Sequence, residues 1–134
     1  IVNALNSNKP MVAVQSDTIA DSISVDLPRD GEKAIQAVQK TKGFGITVSD
    51  EEILVAQNRL ARNTGVFAEP AASAAFAGFL KAMKRGTIHE GDSIVILASG
   101  TGLKDIPAAQ EKIDIPKAQP ATLEGFLTFY NKNK

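Results

Sequence analysis

The feature that most constrains this fold is an apolar run at residues 94–98, Ile-Val-Ile-Leu-Ala, in which polar and apolar side chains do not alternate. A strand with one solvated face alternates between the two, whereas a central strand of a parallel sheet is covered on both faces and does not. The run therefore predicts a buried parallel strand. Three shorter apolar segments, at 11–15, 45–48 and 66–68, are predicted to be further strands of the same sheet.

Helical patterns separate these strands. Residues 32–42 carry their apolar side chains on one side at helical spacing, and Gly43 is expected to end that helix in the left-handed conformation. Ser49 and Glu52 have the spacing of a capping box, which predicts the start of a second helix that Gly65 ends.

Two more helices complete the pattern. Pro70 stands at a first helical position, where its missing N–H costs nothing, and an alanine-rich helix is predicted over 71–85 with Gly86 at its end. Between 16 and 27 the pattern is ambiguous, and Ser16 could cap a short helix there. Near the carboxyl end, four residues at helical spacing predict an amphipathic helix that docks on the rest of the chain: Leu123, Phe126, Leu127 and Tyr130.

Strands that alternate with helices are typical of an open sheet with helices on both faces. The sequence thus predicts an α/β fold, built as a three-layer, open, mostly parallel sheet of about four strands. A length of 134 residues, of which 43% are hydrophobic, suits a single domain over residues 1–134. In such a sheet, ligands bind beside the carboxyl ends of the strands.

Charge and composition exclude several classes of partner. Lys plus Arg and Asp plus Glu both number 15, and this balance argues against a nucleic-acid or anionic-membrane surface, which needs clustered basic charge. Cysteine is absent, the one histidine, His89, has no second histidine with which to share a metal, and no apolar run is long enough to span a bilayer. We therefore expect a cytoplasmic protein without a metal site and without nucleic-acid or membrane partners.

The glycine-rich turn at 99–102, Ser-Gly-Thr-Gly, follows the apolar run directly and is the strongest local signal of a site. Gly100 and Gly102 let the backbone turn and approach a ligand closely. The turn matches neither the Gly-x-Gly-x-x-Gly motif nor the phosphate loop that ends in Gly-Lys-Ser/Thr. Composition alone leaves an ordinary tight connection equally open.

A second candidate is Glu69, a carboxylate at a predicted strand end that is followed at once by the helix start at Pro70. The amino end of a helix favours an anion, either this carboxylate or a ligand group. Spacing alone favours a plainer interpretation, in which Glu69 caps the helix and small residues such as Ser73 serve close helix packing.

Four stretches together resemble threonine synthases, in the right order and spacing over about 11–105. The stretch at 66–78 resembles the family's Glu-Pro-Ala segment with its following small residues, and 91–105 resembles its strand that ends in Thr-Gly-x-Gly-Leu-Lys-Asp. Thr-Ile-Ala-Asp-Ser-Ile at 18–23 and Val-Ser-Asp-Glu-Glu-Ile at 48–53 also match.

The resemblance implies a fold-type-II pyridoxal-phosphate enzyme that converts O-phosphohomoserine and water to threonine and phosphate. It places Ser99 where the family has a hydroxyl residue that hydrogen-bonds the pyridine nitrogen, and a neutral hydroxyl holds the ring without forcing it to a pyridinium. It also implies that Gly100 and Gly102 let the backbone pass beside the ring and that Glu69 lies near the cofactor or the substrate. We further expect a homodimer.

Two parts of the family pattern are absent from this sequence. The Schiff-base lysine lies in an amino-terminal Phe-Lys-Asp motif that has no counterpart here, and Lys104 matches the family's other lysine. The glycine-rich phosphate cradle is missing too, and Gln15 joins Ser16 directly where the family has an insertion. We therefore expect the carboxyl-terminal part of a longer enzyme, with no catalytic residue of its own and no activity alone.

Three alternatives remain open. Threonine dehydratase or cysteate synthase would share the cofactor side and differ in substrate groups that lie mostly outside this chain. A non-catalytic relative that senses an amino acid or a nucleotide at the strand ends would also lack the lysine. An isolated structural domain would have no function alone, and the apolar face left by a missing half would drive its self-association.

Overall fold

Helices dominate the computed structural model, which describes residues 1–113, 115 and 117–133. No helix in this part of the chain is long and apolar enough to cross a membrane. The helices are α1 (Val2–Ser7), α2 (Gly31–Lys40), α3 (Asp50–Thr64), α4 (Pro70–Lys84), α5 (Ile106–Gln110) and α6 (Leu123–Lys132), with 3-10 turns at Asp21–Ile23 and Gly102–Lys104.

The predicted three-layer α/β sheet is wrong. Within the described residues no strand forms, and the one β interaction is an isolated antiparallel bridge between Ala68 and Thr101. The segments predicted as strands are present as connections between helices, without the ladder of hydrogen bonds that defines a sheet.

The apolar run at 94–98 explains why the sheet is absent. On one side it lies near α4, with which it lines a cavity of about 370 Å³. Val95 and Leu97, which also line this cavity, are nevertheless 96% and 78% exposed. A central parallel strand needs cover on both faces and a paired neighbour at each edge. The described part of the chain leaves most of the run uncovered.

The helix signals of the sequence are largely confirmed. Ser49 is the N-cap of α3, and its hydroxyl accepts from the Glu52 N–H at 3.2 Å while the Ser49 N–H donates to the Glu52 carboxylate at 2.8 Å. Gly65 ends α3 with a φ of 75°, and Pro70 is the first residue of α4. Gly86 follows α4 with a φ of 68°, as a helix stop requires.

Three local predictions are wrong. At the end of α2, Lys42 and not Gly43 takes the left-handed conformation, with a φ of 56°, while the Gly43 N–H donates to the Val38 carbonyl at 2.8 Å. This is the six-to-one bond of a Schellman motif, which requires one left-handed residue before the donor. That residue is Lys42, one position before the predicted Gly43. Ser16 caps no helix, because its N–H and hydroxyl both donate to the Asp26 carboxylate and lower the pKa of that group. Helix α6 forms, but none of its residues is buried, and the four side chains expected to dock are exposed: Leu123, Phe126, Leu127 and Tyr130.

The core lies between α3 and α4. Ile53 and Ala56 of α3 are buried against Ala77 of α4, and Ala20 of the preceding loop closes the cluster. Alanine at these positions lets the two helix backbones come close, and Gly78 does the same for Ile46, whose side chain would touch a Cβ there at 3.1 Å. The pair of helices therefore fixes the connection between them, residues 65–69.

Asp50 attaches the loop before α2 to this pair. Its carboxylate accepts from the Thr18 hydroxyl at 2.5 Å and from the Ile19 N–H at 3.2 Å. Because Asp50 is the first residue of α3, its negative charge also lies at the favourable end of the helix dipole. The segment that carries Asp21 and Ser22 is thereby held near the start of α4.

We expect Ser49→Ala to lower the free energy of unfolding by about 1 kcal/mol, since it removes the capping bond of a helix that packs in the core. Thr122→Ala is the matched control, because Thr122 caps α6 through a 3.1 Å bond from the Gly125 N–H, yet α6 buries none of its residues. Thermal unfolding of both variants measures the difference. Equal loss in the two would contradict the assignment of the core to α3 and α4.

A pH dependence follows from the pair of Glu52 with Lys81. The Lys81 ammonium, at 2.7 Å, and the Ser49 N–H lower the pKa of Glu52 in the folded chain. Its contribution to stability is therefore complete above the ordinary glutamate pKa of about 4.3 and is lost as the pH falls from there through the lower folded value. We expect Glu52→Gln, which keeps the capping-box geometry, to flatten the acid limb of a plot of unfolding midpoint against pH. Glu90→Gln, in an exposed turn, should leave that limb unchanged.

Candidate functional site

The site is built where the connection before α4 meets the glycine-rich turn at 99–102. The Glu69 N–H donates to the Gly100 carbonyl at 3.0 Å, and the Gly102 N–H donates to the Phe67 carbonyl at 2.9 Å. These two bonds flank the bridge between Ala68 and Thr101. The two motifs that the sequence marks as separate candidates are thus joined directly.

Both positions of the turn require glycine because neighbouring side chains lie too close for a Cβ, and not because of the backbone angles. A Cβ on Gly100 would overlap the carboxylate of Glu69, and a Cβ on Gly102 would lie 2.5 Å from the ring of Phe67. Neither glycine is among those with a positive φ. The two glycines were expected to let the backbone approach a ligand, whereas in the structure they lie against the side chains of Glu69 and Phe67.

The Glu69 carboxylate is the most enclosed charged group at this place. Its side chain is 9% exposed, and its Oε2 lies 3.1 Å from the Lys104 ammonium. The Ser22 hydroxyl donates to the same oxygen at a longer 3.5 Å. Glu69 is also the N-cap residue of α4, although its side chain makes no capping bond, so the positive end of the helix dipole adds to the stabilisation from Lys104.

A cavity of about 180 Å³ opens beside this ion pair. Its polar lining combines one cation with several carboxylates and a hydroxyl, and its apolar lining comes from the loop before α2 and the start of α4. The residues around it are Ile19, Asp21, Ser22, Glu69, Pro70, Ala71, Lys104 and Asp105.

Ser99 lies apart from this cavity. It is exposed, one residue before Gly100, and it does not line the space beside Glu69. The structure therefore brings together Glu69, Gly100 and Gly102, whereas Ser99 is exposed and does not line the cavity. No group of three His, Cys, Asp or Glu side chains in the described residues is arranged to hold a metal ion.

Sequence reasoning missed one buried polar residue that supports the site, Gln57, and it did not foresee the hydrogen bond that Ser73 makes there. Gln57 of α3 donates its side-chain amide to the Ala68 carbonyl at 2.8 Å, and the Ser73 hydroxyl donates to the same oxygen at 3.4 Å. Ser73 is fully buried in α4, as a packing role requires. The signal for Gln57 was its place next to Ala56 on the apolar side of α3, where a polar residue needs a buried partner.

Comparison with known proteins gives a family. The family model described as pyridoxal-phosphate dependent enzyme matches residues 1–100. Threonine synthase of Mycobacterium tuberculosis is 40% identical over 108 residues, which cover 81% of this chain and 29% of the relative. That of Halalkalibacterium halodurans is 38% identical over 117 residues, which cover 87% and 33%. That of Methanocaldococcus jannaschii is 40% identical over 103 residues, which cover 74% and 25%.

The resemblance to threonine synthases is thereby confirmed over most of the chain. The chain spans about a third or less of the length of the curated relatives that it matches. The matched residues include the connection before α4 and most of the extended run that leads to the glycine-rich turn. The chain belongs to the family of pyridoxal-phosphate-dependent enzymes.

Proposed function

We propose that the full-length protein is a threonine synthase, which converts O-phosphohomoserine and water to threonine and phosphate with pyridoxal phosphate as its cofactor. This chain, a single domain over residues 1–134, would be its carboxyl-terminal part. The observation that carries the proposal is the hydrogen-bonded contact of the Glu69 segment with the Gly100 turn, because both segments belong to the stretches that resemble threonine synthases. Relatives that bear that name match 81% and 87% of this chain.

The residues present fit one side of the cofactor. Ser99 offers an exposed, neutral hydroxyl beside a backbone that carries no Cβ at Gly100 or Gly102, and we assign Ser99 to the pyridine nitrogen. When bound, pyridoxal phosphate supplies an electron-poor ring that stabilises negative charge developing on the substrate carbon. The other residues of the turn would lie alongside the ring.

Lys104 does not fit the role of the Schiff-base lysine. Its ammonium is paired with the Glu69 carboxylate at 3.1 Å, although its side chain is 60% exposed. We propose that the pair holds the turn and the start of α4 in one arrangement and that the Schiff-base lysine comes from another part of the full-length protein. The 134-residue chain alone would then release no phosphate.

Glu69 has a structural and an electrostatic role in this proposal. Its carboxylate is nearly buried, and it lies between the amino end of α4 and Lys104, so its charge is balanced within the chain. The pair itself is therefore neutral, whereas Asp21 and Asp105 add negative charge to the lining of the same cavity. We also propose that the full-length enzyme is a cytoplasmic homodimer.

Assays of the full-length protein with two substrates test the proposed function. We expect phosphate release from O-phosphohomoserine together with threonine formation, and no ketoacid from threonine. Ketoacid formation without phosphate release would assign the protein to the threonine dehydratases instead. The absence of both products, with the cofactor present, would favour a non-catalytic ligand-binding relative and contradict the proposal.

Gly100→Ala in the full-length enzyme tests the close approach at Glu69. The added methyl group would occupy the place of the Glu69 carboxylate, so that this flexible side chain turns away and loses Lys104. Because small displacements in a site reduce rates strongly, we expect kcat/KM to fall by about 10-fold or more with little change in unfolding midpoint. Gly43→Ala is the control, since a Cβ there meets its neighbours at an ordinary 3.4 Å. Equal activity of the two variants would remove Glu69 and Gly100 from the site.

A further inference from the structure

Gln57 is a polar residue in an otherwise apolar part of α3. It is 3% exposed and lies next to Ala56, which is fully buried in the core. A buried amide without a partner is unfavourable, so the side chain of Gln57 is held by the hydrogen bond that it makes. That bond runs from Nε2 to the Ala68 carbonyl oxygen at 2.8 Å.

The peptide unit between Ala68 and Glu69 is held at both of its polar ends. Its carbonyl accepts from Gln57, and its N–H donates to the Gly100 carbonyl at 3.0 Å. The peptide is planar, so two hydrogen bonds on opposite edges fix the orientation of the whole plane. The Glu69 carbonyl on the other side accepts from the Ser73 N–H at 2.8 Å. With the peptides on both sides of Glu69 held, the direction of its Cα–Cβ bond is fixed as well.

The Ser73 hydroxyl is a weaker second partner of the same carbonyl. Its distance of 3.4 Å is at the limit for a hydrogen bond, whereas the amide of Gln57 is at an ideal distance. Gln57 belongs to α3 and links the site to that helix. Ser73 belongs to α4, which begins directly after Glu69, and so provides no link to α3. Removal of Gln57 therefore frees the peptide plane more than removal of Ser73 does.

We infer that Gln57 is a positioning residue of this site, which acts through the 68–69 peptide to keep the Glu69 carboxylate beside Lys104. The inference rests on the proposed function where it concerns catalysis, and on the hydrogen bonds alone where it concerns the peptide. Gln57 does not line the cavity beside Glu69, and its hydrogen bond goes to the 68–69 peptide. Its effect on activity must therefore pass through Glu69.

A double-mutant cycle in the full-length enzyme tests this route. Gln57→Met keeps the length of the side chain and removes the donor. We expect it to lower kcat/KM by about 10-fold to 100-fold, and we expect Glu69→Gln combined with it to be no worse than Glu69→Gln alone, because both act at one group. Asn63→Met, on the exposed side of α3, is the control and should keep full activity. Losses that multiply in the double variant would mean that Gln57 acts on stability alone and would overturn the inference.

Amide hydrogen exchange of the full-length protein gives a second test that needs no activity. In Gln57→Met, the Ala68 carbonyl loses its donor, and the freed peptide plane weakens the bond from the Glu69 N–H to the Gly100 carbonyl. The peptide that covers residues 66–72 should therefore exchange faster, while Asn63→Met should leave it unchanged. Faster exchange in a protein that releases no phosphate would end the proposed function and support the positioning by Gln57. Unchanged exchange would overturn the positioning whatever the activity is.

Discussion

The close packing of α3 on α4 is the constraint on which the rest of the described structure depends. It is possible because alanine stands at the contact, with Ala56 fully buried and Ala77 nearly so, and because Gly78 leaves room for Ile46. Two helices held at short distance leave the residues that join them almost no freedom. The connection before α4 is therefore rigid enough to present Glu69 in one direction, which a loop on an open surface could not do.

The parts of the fold that the sequence predicts well are those whose physics is local. The capping box of Ser49 and Glu52, the left-handed Gly65 and the helix start at Pro70 each depend on a few neighbouring residues. The end of α2 shows the limit even there. A left-handed residue was required, but Lys42 takes it because the Schellman bond from Gly43 to Val38 sets the register.

The sheet failed as a prediction for a different reason. An apolar run such as 94–98 indicates a segment that would be stable as a buried strand. It does not show whether the rest of the chain provides neighbouring strands and covering helices. The pairing edges and the second covering layer are long-range, and the exposure of Val95 and Leu97 shows that the described residues do not provide them. Among the site residues, Glu69, Gly100 and Gly102 could be found from their motifs. The position of Gln57 beside Ala56 shows that it needs a buried partner, but the sequence does not show which one. That partner, the Ala68 carbonyl, lies on a separate element, and only the packing of α3 on α4 brings the two together.

The ion pair of Glu69 with Lys104 bears on whether Lys104 could replace the Schiff-base lysine that this sequence lacks. If Lys104 were the cofactor lysine, its ammonium would have to leave the Glu69 carboxylate. That carboxylate would then keep the α4 dipole and the Ser22 hydroxyl at 3.5 Å, a weak set of partners for a side chain that is 9% exposed. A charge so enclosed is costly when its counter-ion departs, although the exposure of Lys104 reduces that cost through solvent screening. The arrangement therefore favours Lys104 as a fixed counter-ion, and it supports the proposal that the cofactor lysine comes from another part of the full-length protein.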